Sequence, residues 1–308
     1  MSITVALVHM KLKPLARRTN LERARKLVKE AASRGARVVV LPAFVNIGPF
    51  FLHYPRSRNR AITRNQAERI PGSTYEYLSM VALENAVYII AGPIIERAGP
   101  KIFLTTMVIA PNGSLVAKYR KLVSNSLDED LGISPGRQIV VVDDFGRSVG
   151  LMAEDDIFFP EVSRSLLLEG ATAMIASLRP GEDPGRVKLA LMARSLENKV
   201  PIMAVGGVFE TQDKIVEMPT FVVDPQKGIV EEFNEHRDDF ILVEMMREPS
   251  NPKDIIDVSL RVKGLAPLYC KIAKESLVEN IVGRLKAAAA AGGDGVGGGE
   301  AARGGGEG

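Results

Sequence analysis

The stretch VGLMAEDDIFFPEVSRSLLLEGA, residues 149–171, sets the fold question for the whole chain. An apolar run from Val149 to Ala153 stops at three consecutive acids, Glu154, Asp155 and Asp156, and Pro160 then opens a helical pattern reaching Glu169. Strand, charged turn and helix in that order is how α/β enzymes hold a reactive side chain at a strand end. On position alone three readings compete. A magnesium or calcium site would use such carboxylates, but adjacent residues on one short segment rarely converge on a single ion. An acid/base pair would need a second group with a separated pKa. Plain capping of the helix, or pairing with lysine or arginine, is the better reading of the position by itself.

On either side of this stretch, β-type runs alternate with helical ones. Residues 3–8 read as a buried strand, followed by a helix with Leu21, Ala24, Leu27, Val28 and Ala31 on one face. Thr19 and Glu22 have capping-box spacing, and Gly35 supplies the stop. The continuous run Val38–Leu41 predicts a strand buried on both faces. Ser73 and Glu76 suggest a capped helix reaching Asn85, and residues 87–95 another buried strand. Asn112-Gly113 predicts a hairpin, and Phe145-Gly146 a second. A strand at 171–177 and a helix at 184–199, with Val187, Leu191 and Leu196 inward, precede further strands near 202, 221, 230 and 242. Sheets covered by helices in one α/β domain follow from this alternation.

Composition narrows the function classes. With 46% hydrophobic and 25% charged residues the chain has ample material for a core, and 40 basic against 37 acidic residues create no general attraction to nucleic acid or membrane. One cysteine, Cys270, excludes an intramolecular disulfide and a cysteine zinc site, and reads as a packed or surface residue. His9, His53 and His236 lack ligand-like spacing. No apolar stretch has membrane-spanning length, so a cytoplasmic protein with no membrane partner is expected. Arg56, Arg58, Arg60, Arg64 and Arg69 read as a solvated loop, because no aromatic residues interleave with them as a nucleic-acid site would require. Gly206-Gly207 reads as a tight turn. The boundaries expected are a domain over 1–248, a partly helical extension over 249–286 serving packing or oligomer contact, and a largely disordered Ala/Gly tail over 287–308.

Taken together, VALVHM, NLERARKLVKEAASRGARVVVLPA, IAGPIIER, GSLVAKYRKL, ISPGRQ, the opening stretch, ARSLENKVPI and FVVDPQKGIVEE resemble, in order and spacing, the nitrilase or carbon-nitrogen hydrolase superfamily. The resemblance runs from Val5 to about Met245. It implies a four-layer α-β-β-α sandwich that assembles through a helical face into dimers and larger oligomers. It also implies chemistry on non-peptide carbon-nitrogen bonds with no cofactor and no metal.

Active members use a cysteine nucleophile, a glutamate base and a lysine that stabilises developing negative charge. Carried over residue by residue, the lysine is Lys121, and a supporting glutamate falls at Glu129. The base position after Leu-Pro is Ala43. The cysteine position is Glu154, with Asp155 in a slot usually aromatic and with Asp156 and Phe159-Pro160-Glu161 retained; Leu104 stands where a polar residue is common. A carboxylate at 154 supplies Lys121 with the charge a thiolate would have given. A second glutamate at 43 would crowd it, since like charges ~4 Å apart repel by roughly 4 kcal/mol at a surface-like dielectric. An ion-paired remnant is therefore expected at Ala43, Lys121 and Glu154, with Glu129, Asp155 and Asp156 in support. The expected role is a catalytically inactive homologue that binds or assembles, as a homo-oligomer, with a small amide or carboxylate ligand or with a protein partner. One alternative is a divergent hydrolase using Glu154, Lys121 and Glu129. A weaker one is an adaptor holding an acidic partner through Arg56–Arg69.

Overall fold

The computed structural model describes residues 2–210, 215–246 and 252–275. In chain order, β1 (Ser2–His9) and β2 (Lys11–Leu12) precede α1 (Arg17–Ser33), β3 (Val38–Leu41), α2 (Arg56–Gln66) and α3 (Ser73–Asn85). Then come β4 (Tyr88–Ala98), β5 (Lys101–Ile109), β6 (Leu115–Arg120) and α4 (Ser126–Leu131). The second half has β7 (Val141–Val142), β8 (Val149–Ala153), α5 (Pro160–Leu168), β9 (Ala173–Ser177), α6 (Pro184–Asn198) and β10 (Ile202–Val205). It closes with β11 (Gly207–Glu210), β12 (Ile215–Met218), β13 (Thr220–Asp224), β14 (Gly228–Phe233), β15 (Asp239–Met246) and α7 (Pro252–Glu275).

Two six-stranded sheets result, ordered β15-β1-β3-β4-β5-β6 and β14-β13-β10-β9-β8-β7, beside a small sheet β12-β11-β2. Their pairing repeats. In each, three parallel strands (β1-β3-β4 and β8-β9-β10) are flanked by antiparallel neighbours. Alternation along the strands then builds the layers. Val5, Leu7, Val38, Val40, Ile90 and Tyr119 of the first sheet share one core with Leu151, Ile175, Met203 and Val205 of the second. Alternate residues of the same strands, such as Ala6, Val8, Met174 and Ala176, join a core with Leu21, Ala24 and Val28 of α1, Leu78 and Val81 of α3, Leu166 of α5 and Leu191 of α6. Helix, sheet, sheet and helix thus form the four-layer sandwich. Each fully buried leucine contributes roughly 2 kcal/mol to holding it.

Helix α5 lies unusually close to β8. A Cβ at Gly150 would sit 3.1 Å from Leu166 Cβ, so a larger residue there would require the helix to move out by a few tenths of an ångström. Both expected hairpins form, β5 with β6 and β7 with β8. At Gly206 the chain leaves the second sheet for the small one, and a Cβ there would lie 1.9 Å from the Met218 carbonyl oxygen.

Four local expectations are corrected. Helix α1 starts at Arg17 after Ala16, so Thr19 lies inside it and caps nothing, while Glu22 pairs with Arg18. Ser73 is the first residue of α3, and its hydroxyl donates to Glu68 rather than capping through Glu76. Leu196 is exposed, because the buried stripe of α6 runs through Val187, Leu191, Ser195 and Asn198. The arginine-rich segment is not a loop but, from Arg56 to Gln66, helix α2, with Arg69 following it. Its inward positions are the polar Asn59 and Thr63, which bond to each other and leave no apolar period to read. The arginines themselves are exposed as expected, and Arg56 pairs with Asp130 at 2.5 Å.

The chain divides into compact units Met1–Val258 and Ser259–Gly308. Of the expected extension the structure describes α7, where Cys270 is exposed; the expected tail lies outside the described residues. No helix among the described residues is long and apolar enough to cross a membrane.

Candidate functional site

The strand ends deliver the site. β6 leads into Lys121, β8 into Glu154, and β9 into the segment carrying Arg179, so both sheets contribute. Glu154 begins a tight 3-10 turn running to Phe158, and its φ of 51° lies in the left-handed region. A non-glycine residue held there costs about 1–3 kcal/mol and persists only where its surroundings enforce it. Here the strain aims the carboxylate back at Lys121.

Lys121 Nζ donates to Glu154 Oε2 at 3.0 Å, to Asp155 Oδ2 at 2.7 Å and to Asp128 Oδ2 at 2.7 Å. None of the four residues is more than 8% exposed. An ammonium has three protons to give, and all three are committed to carboxylates. Asn125 donates to Asp155, and Arg179 reaches the other Asp155 oxygen at 3.3 Å while also pairing with Glu182. Burial opposes the charge on Lys121, but Glu154, Asp128 and Asp155 outweigh it and raise its pKa above the ordinary lysine value. For Glu154, burial dominates and shifts its pKa upward against the pull of Lys121.

Asp156 has a separate task. Its Oδ2 accepts from Tyr119 Oη at 2.5 Å and from Ala153 N at 3.1 Å, while Oδ1 accepts from Leu122 N and Val123 N at 3.1 and 2.9 Å. One carboxylate thus clasps the segment bearing Lys121 to the end of β8. Ala43 is fully buried in an apolar cluster with Phe44, Ile47, Phe50, Leu104 and Ile133.

Of the residues named from sequence, the structure joins Lys121, Glu154 and Asp155 directly, with Asp156 as their brace. Glu129 is exposed, and the carboxylate on Lys121 from α4 is its neighbour Asp128. The missed signal was local: Asn125 and Asp128 form the capping box of α4, which fixes Asp128 inward. Arg179 carried no signal beyond following a strand. The crowding argument for Ala43 also needs correction, because three carboxylates already surround Lys121. The surroundings of Ala43 explain it better, since a glutamate would be buried among phenylalanine, leucine and isoleucine at high desolvation cost.

The carbon-nitrogen hydrolase family profile matches residues 4–248. The chain therefore belongs to the carbon-nitrogen hydrolase family, within the nitrilase superfamily. A nitrilase of Pyrococcus abyssi is 35% identical over 68% of this chain and 76% of its own length. An omega-amidase of Xenopus laevis is 33% identical over 59% of this chain, and the match spans 66% of that relative, just under two thirds. Among solved structures, a mutant of the Nesterenkonia AN1 amidase from the nitrilase superfamily superposes with a TM-score of 0.72, at 20% identity, over 87% of this chain and 97% of that one. That likeness supports the α-β-β-α fold.

Proposed function

We propose that this chain is a carbon-nitrogen hydrolase homologue that has given up catalysis and works by binding or assembly. The observation carrying the reading is the closed ionic cluster: Lys121 spends every proton on Asp128, Glu154 and Asp155, all buried. A lysine so saturated has no proton left for a developing oxyanion. Glu154 in place of a thiol would form a mixed anhydride with an amide, a poor intermediate from an unactivated carbonyl. No carboxylate stands at 43 to act as base. Purified protein offered a panel of amides, nitriles and ureido compounds, beside an active relative, is expected to turn over none. Turnover abolished by Lys121→Ala and by Glu154→Gln would overturn the reading.

The assembly half rests on the outer faces of α5 and α6. Phe159, Leu168, Leu189 and Leu196 are exposed there, 45% to 66%, and large apolar side chains grouped on a helical layer favour contact with a partner. A second copy of the chain is the proposed partner, as a homo-oligomer. Sedimentation of the parent is expected to show a dimer or larger species, and Leu189→Asp with Leu196→Asp to shift it toward monomer. A monomeric parent at micromolar concentration would remove the proposal.

A further inference from the structure

Strand alternation sends Lys118 and Arg120 to the face of β6 opposite Tyr119, away from the space between the sheets. There they line a half-open groove of about 620 Å³ with Lys101, Phe103, Arg137 and Gln138. The far wall is a built feature. Gly136 N donates to the Lys121 carbonyl oxygen at 2.7 Å, and a Cβ on Gly136 would lie 2.3 Å from the Arg120 carbonyl oxygen, so this segment lies flush on the strand. Arg120 is held over the Phe103 ring, 4.1 Å from its centroid, and forms a two-pronged bond to Glu96.

The charge count is one-sided. Four cations line the groove and no acid does; Glu96 beneath it pairs with two of them, Lys118 and Arg120. Lys101 and Arg137 are exposed and have no ion-pair partner among the described residues. Such a volume suits a small molecule rather than a single inorganic ion. Two free cations beside two partly neutralised ones, with Gln138 as a neutral donor, suit oxyanion groups spaced along one ligand.

We propose that this groove binds a small organic polyanion, carrying two or more carboxylate or phosphate groups, at a site distinct from the Lys121 cluster. Titration calorimetry of the full chain at fixed ionic strength with tricarballylate and with pyrophosphate tests it, and whichever binds identifies carboxylate or phosphate as the preferred group. Saturable binding is expected for at least one, weakened roughly tenfold in Lys101→Ala/Arg137→Ala by loss of charge-assisted bonds. Both substituted side chains are exposed, so an unchanged circular dichroism spectrum is expected to accompany the loss. Glu154→Gln is expected to leave the affinity as it is. Absence of saturable binding to either anion, or undiminished affinity in the double variant, would overturn the proposal. So would binding confined to a short poly-glutamate peptide, which would assign the groove to a protein partner.

Discussion

Two ionic clusters lie near the end of β6, and they are built in opposite ways. On the outer side one carboxylate, Glu96, accepts from Thr105 at 2.6 Å, Lys118 at 2.9 Å and both prongs of Arg120 at 2.7 and 2.9 Å. On the inner side one ammonium, Lys121, faces three carboxylates. Both Glu96 oxygens are engaged, whereas Glu154 Oε1 and Asp128 Oδ1 are buried with no hydrogen-bond partner. The cations at Glu96 are about a third exposed and keep water within reach; the Lys121 cluster is closed. A satisfied, half-open cluster is compatible with stability, whereas a closed one with surplus charge carries desolvation that its own contacts do not fully repay. That imbalance coincides with a left-handed residue at Glu154, and local rules broken together in this way are expected at functional sites.

The largest expected effect is removal of the central cation from the closed cluster. Lys121→Met leaves three buried carboxyl groups with Arg179, 3.3 Å from Asp155, as their remaining counter-charge and is expected to cost about 3–5 kcal/mol, read as a lowered midpoint of chemical unfolding. A midpoint within error of the parent would show that the carboxylates find other partners and that Lys121 does not organise them. Glu96→Gln is the matching change on the other side. There Lys118 and Arg120 can rehydrate and the amide still accepts one bond, so a smaller loss of about 2 kcal/mol is expected. Equal losses in the two variants would erase the distinction between the clusters.

How much of this was legible in sequence differs between the two halves of the problem. The layers were readable because strands such as Val38–Leu41 and a helix stripe such as Leu21, Ala24 and Val28 carry their burial in their period. Helix α2 was not, since Asn59 and Thr63 fill its inward positions and mimic a loop. At the site, Lys121 and Glu154 were found from the blocks around them. Asp128 was displaced by one residue onto Glu129 because spacing along a chain does not say which side of a short helix faces inward, and here the Asn125 cap decides it. The contacts of Arg179 depend on where β9 ends in space, which no local pattern encodes.

The smallest expected effect is also the most diagnostic, because the clusters should respond to pH with opposite sign. Burial raises the pKa of Glu154 above its ordinary 4.5, so the folded state holds that proton more tightly than the unfolded chain. Its contribution to stability is complete below about 4.5 and is lost as pH rises through the folded value. Glu96 is the reverse. Burial opposes its charge, but Arg120, Thr105 and Lys118 prevail and hold it at about 2, so its contribution is present above 4.5 and is lost as pH falls toward 2. Glu154→Gln should therefore change stability by about 1 kcal/mol or less near pH 5 and gain on the parent as pH rises, since the amide has no proton to lose. Glu96→Gln should instead flatten the acid limb below pH 4.5 and leave the alkaline side parallel to the parent. Unfolding midpoints measured from pH 3 to pH 9 separate the two. If Glu154→Gln ran parallel to the parent across that range, the Glu154 carboxyl would titrate alike in the folded and unfolded chains, and above about 4.5 Lys121 would then hold three full charges without help from a shared proton.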